Sequence, residues 1–312
     1  MRTQGDIWPP RGKRTHREPP VLFGQMFEWD RVCGARVAVM GIVNVTPDSF
    51  SDGGRYLEPD AAVAHGIELA AQGAAVLDVG GESTRPGAAP VPADEELRRV
   101  IPVVERLAAT TSVRISVDTT KAAIARAALD AGATVVNDVS AGEVEPEILG
   151  VAAEAGAGYV VMHMQGEPRT MQADPRYDDV VAEVGDFLAD RVGAARAAGV
   201  AEGAVAADPG IGFGKSVEHN LRLLAGLPAL VDRVGVPVMV GASRKTFVGK
   251  VLARAGAASG DLPVDQREEG TLATVVWAAE RGASIVRVHD VLPAVRAVRL
   301  LGALHAAEAG AA

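Results

Sequence analysis

The chain is poor in cysteine and in aromatic side chains. Cys33 is the single cysteine among 312 residues, so no intramolecular disulfide forms and a zinc site built on several cysteines is excluded. Cys33 itself reads as a small buried or tail thiol. Three Trp, three Tyr and six Phe, 4% of the residues, are too few for rows of base-stacking platforms, and a net charge of −9 opposes a nucleic-acid surface. No apolar stretch reaches the roughly 18 residues that span a bilayer. Positive charge concentrates at the start, where the first twenty residues hold five basic and two acidic residues together with Pro9, Pro10, Pro19 and Pro20. No apolar segment follows this stretch, so it is not read as a secretory signal. The expectation is a disordered basic tail over residues 1–26 and a cytoplasmic compartment. A small anionic substrate then requires a local cationic pocket.

What is present is ordinary in bulk, with 48% hydrophobic and 23% charged residues, and regular in order. Eight short β-branched runs each end on a polar or ionisable residue and are followed by a helical stretch. They are Ala38–Val45 ending near Asn44, Ala75–Gly81 ending at Glu82, Val113–Asp118, Thr134–Asp138, Tyr159–His163, Val205–Asp208, Pro237–Ser243 and Ser284–His289. This alternation closes most simply as a parallel (β/α)8 barrel, which takes about 250 residues and does its chemistry at the C-terminal strand ends. The α/β expectation is a closed parallel sheet ringed by helices over residues 27–305, with a short tail over 306–312.

Phe27 to Ala35 reads as a lead-in strand or turn. The first long connection, Thr46 to Gly54, is rich in turn formers and reads as a mobile loop, and Gly80 to Gly87 reads as a second one. Helical periodicity places Ala61, Ala62, Ile67, Leu69 and Ala70 on one face of the first helix. Further helices are expected over Ala93–Leu107, Lys121–Ala131, Pro146–Ala155, Tyr177–Ala198, Ser216–Ala225, Arg267–Glu280 and Pro293–Leu304. The Ala/Gly/Ser-rich stretch from Lys250 to Arg267 reads as loop.

Asp208-Pro209-Gly210-Ile211-Gly212-Phe213-Gly214-Lys215-Ser216 resembles a phosphate loop but fails its test, because Pro209 occupies the first glycine position of the Walker pattern. What remains is a strand-end Asp and a glycine loop able to approach a flat ligand. Such an Asp caps the next helix about as often as it binds a ligand. Beside Asp118 and Asn137 on neighbouring strands the balance moves toward a fused nitrogen heterocycle, whose parallel N–H groups suit a carboxylate. Ser243-Arg244-Lys245 and Arg287-Val288-His289-Asp290 end strands seven and eight, where barrel enzymes often bind phosphate. Alone, an Arg-x-His is more often a surface pair than a clamp. Here both side chains share a strand face, and with Arg85 they suit a diphosphate. Asn44 is as readily a turn residue as a ligand, and next to a diphosphate its neutral amide suits Mg2+. Asp48 and Asp52 are equally well explained as solvated loop charges. His163 reads as a packed strand histidine and Met162 as a residue that stacks on a ring. Asp94-Glu95-Glu96 reads as a solvated helix start.

Taken together, Asn44 to Gly54, Gly81-Glu82-Ser83-Thr84-Arg85-Pro86-Gly87, Asn137-Asp138-Val139-Ser140, Met162-His163-Met164-Gln165-Gly166, Asp208 to Lys215, Ser243-Arg244-Lys245 and Arg287 to Asp290 resemble, in order, the dihydropteroate synthases. The resemblance runs from about Val37 to Leu304. It implies a barrel enzyme of folate synthesis, cytoplasmic and homodimeric, that joins 6-hydroxymethyl-7,8-dihydropterin diphosphate to 4-aminobenzoate and releases diphosphate. By the same resemblance Asp118, Asn137, Asp208 and Lys245 hold the pterin, Met162 and Phe213 line its pocket, and Gly241 is a further substrate-binding position. Asn44, Arg85, Arg287 and His289 take the diphosphate and its Mg2+, with Asn44 as the metal ligand. Thr84, Pro86, Phe50 and Lys245 border the aminobenzoate, where sulfonamides compete. Asp118, Asp208, Lys245 and Arg85 carry catalysis. The expected mechanism is dissociative, since a carboxylate-substituted aniline is a weak nucleophile and needs a strong electrophile. A pterin-binding methyltransferase domain shares the heterocycle pocket but has no need of the Ser83–Pro86 loop or the Ser243–Lys245 segment. A catalytically silent pterin-binding paralogue is expected to lack Arg85, Lys245 or His289, and all three are present.

Overall fold

Valine and isoleucine dominate the strands because each must be buried on both faces, against the barrel interior and against the helices outside. The computed structural model describes residues 26–34, 37–45, 58–83, 88–167, 169–257 and 260–310. The strands are β1 (Ala38–Asn44), β2 (Val76–Gly80), β3 (Arg114–Asp118), β4 (Val135–Asp138), β5 (Gly158–Met162), β6 (Val205–Asp208), β7 (Met239–Val240) and β8 (Ile285–Val288). All pair in parallel, in the spatial order β6-β5-β4-β3-β2-β1-β8-β7. The seam between β6 and β7 is closed by a single bridge, Ala207 to Val238, with the Ala207 N–H donating to the Pro237 carbonyl at 3.0 Å. The (β/α)8 barrel expected from the alternation is therefore present, with one thin joint. β7 is shorter than the expected Pro237–Ser243 because Pro237 has no N–H to give a ladder and Gly241 is a weak strand former.

The helices are α1 (Trp29–Cys33), α2 (Glu58–Gln72), α3 (Ala93–Thr110), α4 (Ala122–Asp130), α5 (Glu147–Glu154), α6 (Val180–Ala197), α7 (Val217–Ala225), α8 (Leu227–Val234), α9 (Thr246–Arg254), α10 (Glu268–Glu280) and α11 (Val291–Glu308). Three differ from expectation. The lead-in is the short helix α1, not a strand: Trp29 is fully buried and donates its indole N–H to the Ala204 carbonyl at 2.9 Å, while Phe27 meets Trp29 edge-on at 5.0 Å. These rings close the N-terminal end of the barrel below β5 and β6. The single turn of Gly226 splits off α8, and α9 enters the stretch read as loop, extending to Arg254. On α2 the buried face is Ala62, Val63, Gly66 and Leu69, whereas Ile67 is 41% exposed, because a 100° turn per residue carries position 67 out of that stripe. Cys33 is half-buried, and burial with the nearby Asp30 pushes its thiol up to about 11. No helix among the described residues is long and apolar enough to cross a membrane.

Candidate active site

Strand register sets the site. Asn44, Gly80, Asp118 and Asn137 stand in one row across β1 to β4, and Met162 pairs with Asp208 across β5 and β6. Arg287 starts lower, opposite Met40 on β1, and its length lets it reach the other side of the interior. There its Nε donates to Asp78 Oδ2 at 2.6 Å and its Nη2 to Asp118 Oδ2 at 2.7 Å. Asn137 Nδ2 donates to the same Asp78 oxygen at 3.0 Å. One guanidinium, two carboxylates and an amide thus form a connected floor.

The β6–β7 side is built differently. Asp208 Oδ1 accepts the Gly210 N–H at 2.7 Å, which folds the glycine loop back over the strand end. Gly210 has φ 65°, and a Cβ there would overlap the His163 carbonyl, so only glycine allows this approach. Lys215 is buried and donates to the carbonyls of Phe213 at 2.9 Å and His163 at 3.3 Å, with His163 Nδ1 at 2.8 Å. Lys245 donates to the Ile211 carbonyl and places Nζ 4.3 Å from the centre of the Phe213 ring. A Cβ at Gly241 would stand 3.6 Å from Asp208 Oδ2 and 3.7 Å from Arg287 Cβ, so this glycine keeps the space between the two sides open. A cleft of about 450 Å³ runs off the mouth, lined in part by Asp118, Thr119, Val139, Ser140, Met162 and Phe187.

Burial dominates the electrostatics. It pushes Asp118 up to about 7, with Arg287 pulling down and Asp78 pushing further up. Asp208 is also raised by burial, against the pull of Lys245. Lys245 is pushed down to about 8 by burial, with Asp208 pulling up and Arg287 pushing down. Lys215 falls well below the ordinary lysine range through burial and the neighbouring Lys245. His163 drops to about 3 through burial and then Lys215, and its ring meets Phe187 edge-on at 4.9 Å, as suits a packed histidine.

Among the sequence candidates, Asp118, Asn137 and Arg287 are tied together by direct and shared hydrogen bonds. Asp208, Lys245, Phe213 and Gly241 gather opposite them, Met162 lines the cleft, and half-buried Asn44 closes the row at β1. His289 lies at the same end, where Ser243 Oγ accepts its backbone N–H at 3.2 Å and stands 3.0 Å from Nδ1. Arg244 does not join the expected cationic group: its guanidinium makes two bonds to Asp290, at 2.5 and 3.0 Å, and its backbone, at φ 57°, is held by Thr271 and Arg267. Phe50, Thr84, Arg85 and Pro86 lie outside the described residues, as do Asp48, Asp52 and residues 1–25.

Glu96 corrects the expectation of a solvated helix start. It is fully buried, accepts Thr119 Oγ1 at 2.7 Å and shares Lys121 Nζ with Glu82, both at 2.5 Å. Sequence reasoning also misses Asp78 and Lys215. Asp78 carries a signal, a lone charge within Val-Leu-Asp-Val-Gly, since a charge in a strand buried on both faces needs a partner. Lys215 is hidden by its place at the tail of a failed phosphate loop.

The profile of the pterin binding enzyme family matches residues 40–289. The dihydropteroate synthase of Mycobacterium leprae (strain TN) is 51% identical over 275 residues, covering 87% of this chain and 95% of that protein. A structure of the Xanthomonas albilineans enzyme with 4-aminobenzoic acid superposes with a TM-score of 0.80 at 50% identity, covering 87% of this chain and 94% of the other. A second, in complex with 7,8-dihydropteroate, gives a TM-score of 0.78 at 46% identity, covering 91% and 97%. With eight parallel strands, a polar mouth at their C-terminal ends and this breadth of likeness, the chain belongs to the pterin binding enzyme family, as a dihydropteroate synthase.

Proposed function

We propose that the mouth binds 6-hydroxymethyl-7,8-dihydropterin diphosphate and joins its methylene carbon to the amine of 4-aminobenzoate. The observation that carries this is the gathering of Asp118, Asn137 and Asp208 around one opening with Lys245 over Phe213. Carboxylate and amide oxygens accept the N–H groups of the heterocycle, and Met162 and Phe213 supply apolar surface for its faces. Complexes of the Xanthomonas albilineans enzyme with 4-aminobenzoic acid and with 7,8-dihydropteroate support this reading.

The reaction breaks the methylene C–O bond, with the electron pair leaving on diphosphate, and forms a C–N bond to the aniline, whose proton passes to solvent or to the departing diphosphate. Ionised Asp118 and Asp208 favour positive charge developing on the pterin methylene, because they act in a buried, low-dielectric setting. His289, held against Ser243 at the strand-eight end, is assigned to the leaving diphosphate together with Arg287, and Arg85 takes the same role by family resemblance. Asn44, half-buried at the end of β1, would offer its amide oxygen to Mg2+, which with substrate phosphates takes few protein ligands. When bound it would neutralise charge on the leaving diphosphate. The enzyme works as a homodimer in the cytoplasm in this proposal, in keeping with the family resemblance.

The test is incubation with pterin diphosphate, Mg2+ and labelled 4-aminobenzoate. Labelled pteroate is the expected product, and pterin binding without turnover would instead mark a silent paralogue.

A further inference from the structure

We propose that Asp78 is a positioning residue that fixes the amide of Asn137, so that its carbonyl oxygen joins Asp118 and Asp208 as an acceptor for the ligand. This rests on the pterin proposal above and adds to it a specificity element on β2. Asp78 Oδ2 accepts two donors, Arg287 Nε at 2.6 Å and Asn137 Nδ2 at 3.0 Å. An oxygen already holding a guanidinium N–H acts as an acceptor, so Asn137 must turn its NH2 group toward it. The carbonyl oxygen of Asn137 is then directed away from Asp78. Asp118 spends Oδ2 on Arg287 and Asp208 spends Oδ1 on Gly210, which leaves Asp118 Oδ1 and Asp208 Oδ2 for a ligand. All three groups thus offer an oxygen, which a ligand with N–H donors at matching positions can use.

Stability alone does not account for Asp78. Among the described residues, the buried side-chain polar atoms without a hydrogen-bond partner are Asp78 Oδ1 and Ser116 Oγ, on register partners of β2 and β3. A fully buried carboxylate with one oxygen unpaired is costly. What that cost secures is the orientation of two neighbours at the mouth.

The test is a cycle of Asp78→Ala, Asn137→Asp and the double variant, with affinity for 6-hydroxymethyl-7,8-dihydropterin measured by calorimetry and stability by denaturant unfolding. Asp78→Ala frees the amide to rotate and should weaken binding roughly 10- to 100-fold. Asn137→Asp alone should also weaken it, because two carboxylates then face each other. In the double variant the carboxylate introduced at position 137 presents oxygen whichever way it turns, so Asn137→Asp should raise affinity in the Asp78→Ala background. That reversal in affinity without a parallel recovery of stability in denaturant is not expected of a residue that merely holds the fold or balances Arg287. If Asp78→Ala fails to fold, Asp78→Leu fills the volume without an acceptor and carries the same expectation. Unchanged affinity in the Asp78 variant, or a double variant equal to the product of the two single losses, would overturn the assignment. A wild-type protein that does not bind the pterin would overturn the pterin proposal and this inference with it.

Discussion

The two sides of the barrel mouth solve the problem of buried charge in opposite ways. On the β2–β4 and β8 side, Arg287 is bound by two carboxylates, and its charge is held more firmly than an ordinary guanidinium. On the β6–β7 side, the hydrogen-bond and ring partners of Lys215 and Lys245 among the described residues are carbonyl oxygens, a histidine nitrogen and an aromatic face, with the Asp208 carboxylate acting on both at longer range. A paired guanidinium keeps its charge and its geometry, whereas a desolvated amine gives up its proton readily. The first side is therefore a fixed template and the second an adjustable one.

The sharpest way to break this comparison is to remove the centre of the fixed side. Arg287→Met leaves Asp78 and Asp118 facing each other without a cation, and denaturant unfolding should show a loss of about 3–5 kcal/mol. Arg287→Lys should recover only part, since a point charge cannot bridge both carboxylates. A loss below about 1 kcal/mol would mean that the network is not the structural centre of the mouth. Next in size is Asp208→Asn on the adjustable side. It removes a charged acceptor for a buried ligand, so pterin affinity should fall by about 2–5 kcal/mol with little change in stability. An unchanged calorimetric affinity would take Asp208 out of the pocket.

The contrast is only half legible in the sequence. Strand-end position marks Asp118, Asn137 and Asp208, because a β-branched run ending on a polar group is a local pattern, and parallel register then puts such ends on one face; Lys245 and Arg287 are marked by their motifs and sit just before α9 and inside β8. Who bonds whom is not legible. Arg287 meets Asp78 across 209 positions, and only barrel closure brings them together. Glu96 looks solvated because it follows exposed Asp94 and half-buried Glu95 in an acidic run, yet its own helical position faces Lys121 and Thr119. On α2, Ile67 is apolar but out of phase with the buried stripe, so composition misleads where strict 3.6-residue spacing would not.

The smallest effects, and the most diagnostic of the comparison, are those of pH. Asp118 is raised from 3.8 to about 7 in the folded protein, so between these values the native state holds a proton that the unfolded state has lost. Its contribution to stability therefore falls as pH rises from about 4 to 7. Lys245 is lowered from 10.5 to about 8, so above pH 8 the native state sheds a proton that the unfolded chain keeps, and its contribution rises from about 8 to 10.5. Between 7 and 8 both groups are charged and both burials are at their most costly. That same window holds the ionised carboxylate and the protonated amine that the ligand needs, so kcat/KM should be bell-shaped with its maximum there. Asp118→Asn should flatten the acid limb of the stability curve and Lys245→Met the alkaline limb, each leaving the other in place. If a single substitution flattened both limbs, the two sides of the mouth would titrate as one unit, and the division between a fixed and an adjustable side would be wrong.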